Sequence, residues 1–271
     1  MSLGKLCVRF LLIALMVTAV PNLVQARDDH LGWQVGLKSV FLFHEEKQVS
    51  GDQLLTEQGW MPGLFGQLDW CWDERCLLAQ AEWLRGPVNY YGQTQLGQQA
   101  NTETREDIID VRIVGSFPTI KDNLHGYIGL GHHIWQRDIL SSQVAMGIDE
   151  YYQWSYLLGG FSYVATVLNR DFQISGSVKK SFNETLDVQF KSVNHATSEI
   201  KLPSGVGVAF DIKKKFALSK GISVSVGPEF SMWMFDRSDA FPLRENGITV
   251  GNATQPEFKH YFAGLSVSFS K

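Results

Sequence analysis

The chain has 271 residues, a formal net charge of −4, 44% apolar and 19% charged side chains. That balance excludes a disordered chain and a strongly basic nucleic-acid binder, and no glycine-rich loop opens a helix to cradle a nucleotide phosphate. Beyond residue 26 no apolar run approaches the roughly 18 to 20 residues that a spanning helix needs, and three cysteines are too few for a disulfide scaffold.

In chain order, the first element is an address. Lys5 and Arg9 precede the apolar run Phe10 to Val20, Pro21 breaks it, and Val24-Gln25-Ala26 places small side chains at a cleavage site. Residues 1–26 therefore read as a cleaved signal peptide and 27–271 as one exported, mildly acidic domain. Cys7 lies ahead of the apolar run and is not a lipoprotein acceptor.

From there period-two alternation dominates, and ten strands are expected at about 32–43, 59–72, 75–85, 106–117, 124–136, 151–165, 171–182, 203–212, 221–235 and 258–269. The last is the clearest: Tyr261, Ala263, Leu265, Val267 and Phe269 alternate with Phe262, Gly264, Ser266 and Ser268. Long polar connections (44–58, 86–105, 137–150, 183–202, 236–257) alternate with short ones such as Asp73-Glu74. This is the pattern of an up-and-down antiparallel meander with long loops at one end and both termini at the other.

Alternation alone suits a soluble barrel or a membrane barrel. Export, an even strand count and aromatics at strand ends favour the membrane. The aromatics assigned to the lipid-facing side are Trp33, Trp70, Trp72, Trp83, Trp154, Tyr156, Tyr261 and Phe269. The opposite face carries mid-strand charges: Lys38, Asp69, Glu82, Asp110, Arg112, Lys179, Asp211 and Glu229. A dry core tolerates few such groups without partners. The fold class expected is thus all-β, a transmembrane antiparallel barrel of about ten strands.

On these features the chain resembles the small outer-membrane β-barrel proteins of Gram-negative bacteria. The resemblance rests on Gly126-Tyr127-Ile128-Gly129-Leu130-Gly131, on Val226-Gly227-Pro228-Glu229-Phe230 with Trp233, and on the alternating final strand. It implies an outer-membrane location among lipid and lipopolysaccharide. It also implies assembly through a C-terminal strand whose aromatic signal is held by Phe269, with Ser270 and Lys271 following. It implies no defined activity and no cofactor.

Three groups of residues are candidates for chemistry. Across a two-residue Asp73-Glu74 turn, Cys71 faces Cys76, a pairing suited to a disulfide in an oxidising periplasm. The inward charges form either a network that fills the lumen or the lining of a narrow passage, with Arg112 expected to compensate Glu82 and Asp110. Because eight strands enclose only side chains or one small ligand and open channels need roughly 16 to 18, filling is favoured. Rim histidines beside carboxylates, His44 with Glu45 and Glu46, and His132 and His133 with Asp138, are the residues a hydrolase would need. The function expected is structural or surface-interactive, with a narrow solute channel second and a rim hydrolase third. No metal site and no nucleic-acid partner is expected.

Overall fold

The computed structural model describes residues 30–93, 97–121, 123–167, 170–191, 195–218, 221–245 and 248–271. The expected signal peptide lies outside the described residues. The strands in chain order are β1 (His30–Lys47), β2 (Gln53–Trp72), β3 (Arg75–Gln93), β4 (Gln99–Pro118), β5 (Leu124–Ile139), β6 (Ile148–Val167) and β7 (Arg170–Phe190). They continue with β8 (His195–Lys201), β9 (Val206–Ala217), β10 (Ser223–Phe235), β11 (Phe241–Glu245), β12 (Ile248–Ala253) and β13 (Glu257–Ser270).

Ten of them close a barrel. β1 to β7 pair in sequence, β7 pairs β9, β9 pairs β10, β10 pairs β13, and β13 returns to β1. Closure leaves the ring without a free edge, which hydrocarbon would not tolerate. The remaining three, β8, β11 and β12, form a side sheet attached to the far end of β7. A local irregularity marks the branch point. Asn183 has φ of 57° and the β6–β7 register shifts between Gln153 and Ser155, as a bulge does when it bends a strand. Below it, Phe172 to Lys180 of β7 lie against β9; above it, Thr185 to Gln189 lie against β8.

The ten expected strands are all present, but the long loops are mostly strand. β1 runs to Lys47 and β2 resumes at Gln53; β5 runs to Ile139 and β6 resumes at Ile148. The reason is physical. Crossing a bilayer takes roughly 9 to 11 tilted residues, whereas β2, β4 and β6 have 20 each. The outward face is apolar over the lower part of the barrel, where Leu37, Ile113, Ile128, Leu157, Val178 and Leu265 are exposed. Higher up the same face carries Glu45, Lys47, Arg105, Asp107, Asp138, Asp149 and Lys259. Strands rising out of the apolar band meet water outside while still carrying charges inside, so the alternation that marks a strand disappears from the sequence.

Aromatics border the band. Phe41 packs edge-on to Trp60 and Phe43 packs beside Tyr261 at its upper edge, where Trp83 Nε1 also donates to Asp107 Oδ1 at 2.9 Å. Trp33, Trp72, Phe117 and Phe269 are exposed at the lower edge. Two assignments to this girdle are corrected. Trp154 and Tyr156 are fully buried inside the barrel. β6 turns Tyr152, Trp154, Tyr156 and Leu158 inward, and its lipid side is Leu157 and Phe161. An aromatic face that fills a lumen has the same alternation as one that meets lipid.

Candidate functional site

The lumen is divided along its axis. At its lower end, beside the chain's first and last described strands, is a polar vestibule of about 570 Å3 whose lining includes Ser175, Ser177, Ser225, Gln80, Asp69 and Arg112. Above it is a small chamber of about 110 Å3 lined by Lys38, Glu82, Asp110, Arg112, Lys179 and Glu229. Above that the interior is solid.

The chamber holds most of the charges read from the sequence, in pairings other than those expected. Lys38 Nζ lies 2.8 Å from Glu82 and 2.5 Å from Glu229, joining β1, β3 and β10 across the lumen. Asp110 is held by His133 Nδ1 at 3.0 Å and accepts from the Tyr156 hydroxyl at 2.7 Å. Lys179 Nζ sits over the Tyr156 and Trp233 rings. Arg112 does not bridge Glu82 and Asp110. Its Nε and Nη2 both donate to Gln80 Oε1, at 2.9 and 2.7 Å, because Lys38 and His133 already occupy the two carboxylates. Asp211 faces Lys213 at 3.8 Å, and Asp69 accepts from Gln67 Nε2 at 2.6 Å.

The seal above the chamber is built from rings. Trp135 stacks on Tyr152 with centroids 4.6 Å apart, and His133 stacks on Trp154 at 4.3 Å. Phe235 stacks on Phe258 at 4.7 Å, and His260 packs on Trp135 at 4.3 Å. Glycines make room for them. A Cβ at Gly131 would lie 2.2 Å from the Tyr156 ring and one at Gly207 2.8 Å from Trp233. The Tyr156 and Trp233 rings thus lie over neighbouring strands that carry no side chain at that point.

Capping the seal is a residue the sequence reading left in a loop. Arg137, fully buried, is encircled by four carboxylates from four strands. Its Nη2 lies 2.7 Å from Glu57, its Nη1 lies 2.6 Å from Glu150 and 3.1 Å from Glu46, and its Nε lies 3.8 Å from Glu106. Trp135 Nε1 donates to Glu106 at 2.5 Å, and Thr104 donates to Glu57. All five charged groups stand above the apolar band: their outward neighbours include Glu45, Lys47, Arg105, Asp107, Gln136, Asp138 and Asp149. With every carboxylate ionised the cluster would carry three uncompensated negative charges away from water, which is costly. Burial accordingly pushes Glu46 and Glu106 above the usual carboxylate range, and Glu150 to about 7. Burial opposes the charge on Arg137 as well, but the surrounding carboxylates outweigh it and hold the guanidinium protonated.

The signal for this cluster was present as a continued alternation, His133, Trp135, Arg137 on β5 and Glu150, Tyr152, Trp154 on β6. It was hidden by the polar residues between them. The rim histidines are placed differently from a catalytic rim. His44 is buried beneath Arg137's ring of carboxylates and contacts Glu46 at 3.1 Å, while Glu45 points out. His133 points in and His132 points out, where it contacts Ser155. Asp138 is on the outer side with Lys191. At the lower end the Cys71–Cys76 disulfide joins β2 and β3 across the Asp73-Glu74 turn. Among the described residues no cluster of His, Cys, Asp and Glu is arranged to hold a metal ion.

Neither a protein-family model nor a curated protein matches the sequence. Solved structures do match. The outer membrane protease OmpT from Escherichia coli superposes with a TM-score of 0.56 at 12% identity, over 93% of this chain and 99% of that one. The translocator domain of the autotransporter NalP from Neisseria meningitidis has a TM-score of 0.40 at 9% identity, over 98% of this chain and 96% of its own. Neisserial surface protein A has a TM-score of 0.30 at 8% identity, over 87% and 95%. With its closed ten-stranded ring and the OmpT superposition, the chain has the fold of an outer-membrane β-barrel, and at this identity the likeness carries the fold alone.

Proposed function

We propose that this is an exported outer-membrane protein whose barrel is closed to solutes, and which acts as a structural element or contact surface through its outer end. The observation that carries this reading is the seal. Leu42, His44, Trp135, Arg137, Tyr152, Trp154, Tyr156, Phe258 and His260 are all inaccessible to solvent and span the lumen from β1 through β5 and β6 to β13. A solute entering the vestibule meets two stacked layers of rings and then a fully paired guanidinium. In this reading the signal peptide of residues 1–26 delivers the chain, lipid and lipopolysaccharide surround the apolar band, and β13 is the strand presented to the assembly machinery. The tall outer half with its side sheet is the part a partner meets.

Two measurements test it. Liposomes carrying the purified barrel should swell no faster in an isotonic small sugar than protein-free liposomes; rapid swelling would contradict a closed lumen. On intact cells an epitope tag at Gln98 should be reached by antibody and one at Gly221 should not. The reverse pattern would invert the orientation.

A further inference from the structure

The vestibule is more elaborate than a gap left by small side chains. Arg112 stands at its inner end, at the boundary with the upper chamber, and lines both. Among the described residues no carboxylate lies within ion-pair distance of it. Its Nε and Nη2 rest on the neutral Gln80 amide oxygen, and the side chain lines the cavity. Lys213, Lys215 and Lys271 add cationic side chains, against the carboxylates of Asp69 and Asp211. Those two are already engaged, Asp69 with Gln67 and Asp211 with Lys213. Between them, hydroxyls and amides such as Ser116, Ser175, Gln34 and Gln173 are interspersed with apolar side chains such as Leu78, Val114 and Leu158.

These features define a ligand chemistry. A guanidinium presents a planar fork that matches the oxygens of a carboxylate or phosphate, and a neutral amide is a weaker partner for it than an anion. Rows of hydroxyls and amides suit a ligand bearing hydroxyl groups of its own. A volume of about 570 Å3 falls in the range of roughly 300 to 1,000 Å3 that small-molecule sites occupy. We infer that the vestibule is a binding site for a small polyhydroxylated anion, of the sugar-acid or sugar-phosphate class. Arg112 anchors the anionic group in place of Gln80, and Lys213 and Lys215 flank it. The site opens away from the seal, so binding does not require passage. In the proposed orientation it samples the periplasm.

The test uses the folded full-length barrel in detergent, so its outcome is independent of membrane orientation and of whether the lumen conducts. Isothermal titration calorimetry with gluconate and with glucose 6-phosphate should show saturable binding of at least one, at least tenfold tighter than glucose. Arg112→Gln should weaken the anion by at least tenfold and leave glucose unchanged. Retained heat-modifiable gel mobility would show that this variant is folded. If it is not, Lys213→Gln together with Lys215→Gln should weaken the same anion several-fold. Equal affinity for anion and glucose, binding of neither anion, or anion binding indifferent to whichever of these folded variants is measured would overturn the assignment.

Discussion

The outer and inner halves of this lumen share one hydrogen-bond ladder and one circumference, yet one is solid and the other is a cup. On β13 the inward residues are Phe258, His260 and Phe262 above and Ser266 and Ser268 below. On β6 they are Tyr152, Trp154 and Tyr156 above and Gly160 and Ser162 below. The strand number fixes how much space the barrel encloses; the volume of the inward side chains alone decides whether that space remains. The charges follow the same division. Above the apolar band they are buried and encircled around Arg137, whereas in the vestibule Arg112 faces a cavity.

The sharpest way to break this difference is to remove the outer cation. Arg137→Met leaves Glu46, Glu57, Glu106 and Glu150 buried without a counter-charge, and should destabilise the barrel by on the order of 3 to 5 kcal/mol. The readout is the temperature at which heat-resistant gel mobility is lost. Adding Glu57→Gln and Glu150→Gln should restore part of it, since the stranded charges are then gone.

The outer surface of the barrel should be blind to the division inside. Leu265→Arg or Val267→Arg, in the apolar band, should cost roughly 2 to 4 kcal/mol. The vestibule change Ser225→Asn should stay within about 0.5 kcal/mol. Urea titration of the folded barrel in lipid vesicles measures both, and equal costs on the two faces would refute the inward–outward assignment.

The cup should also be stapled where the seal is not. Cys71→Ser with Cys76→Ser opens a short loop, for which chain entropy gives about 2 kcal/mol. The loss should be matched by adding reductant to the native protein.

Stability should also depend on pH, with a sign set by the Arg137 cluster. Burial raises Glu150 to about 7 and raises Glu46 and Glu106 as well, above the value near 4.5 of an unfolded chain. Between those values the folded state binds more protons than the unfolded state, so stability is greatest below about pH 4.5 and declines as pH rises towards 7. The slope is at most about 1.4 kcal/mol per pH unit for each such group. Glu150→Gln, which keeps an acceptor for Arg137, should flatten the profile. Stability rising over the same interval would contradict the cluster.

How much of this was legible in the sequence depends on what lies outside each strand. Within the apolar band the alternation of Leu265 with Ser266, or of Val226 with Gly227, marked the strands and their two unlike faces. The Cys71–Cys76 pairing followed from a two-residue turn. Above the band water replaces lipid, and stretches such as His44-Glu45-Glu46-Lys47 are polar on both faces. They therefore read as loop, and the Arg137 cluster was dispersed among loops. Trp154 and Tyr156 show the second limit. Period two says that two faces differ and does not say which is inside; the glycine opposite Tyr156, Gly131, is the local sign that a large ring needs room there. Histidine was the third. His44 reads as a rim group for chemistry but is buried against the Trp135, Phe258 and His260 rings.

Single-channel recording in a planar bilayer tests the central claim most directly. With the seal of Trp135, Tyr152, Trp154 and Phe258 in place, the purified full-length protein should insert without producing discrete current steps. Reproducible, ohmic openings from the unmodified barrel would contradict the closed lumen.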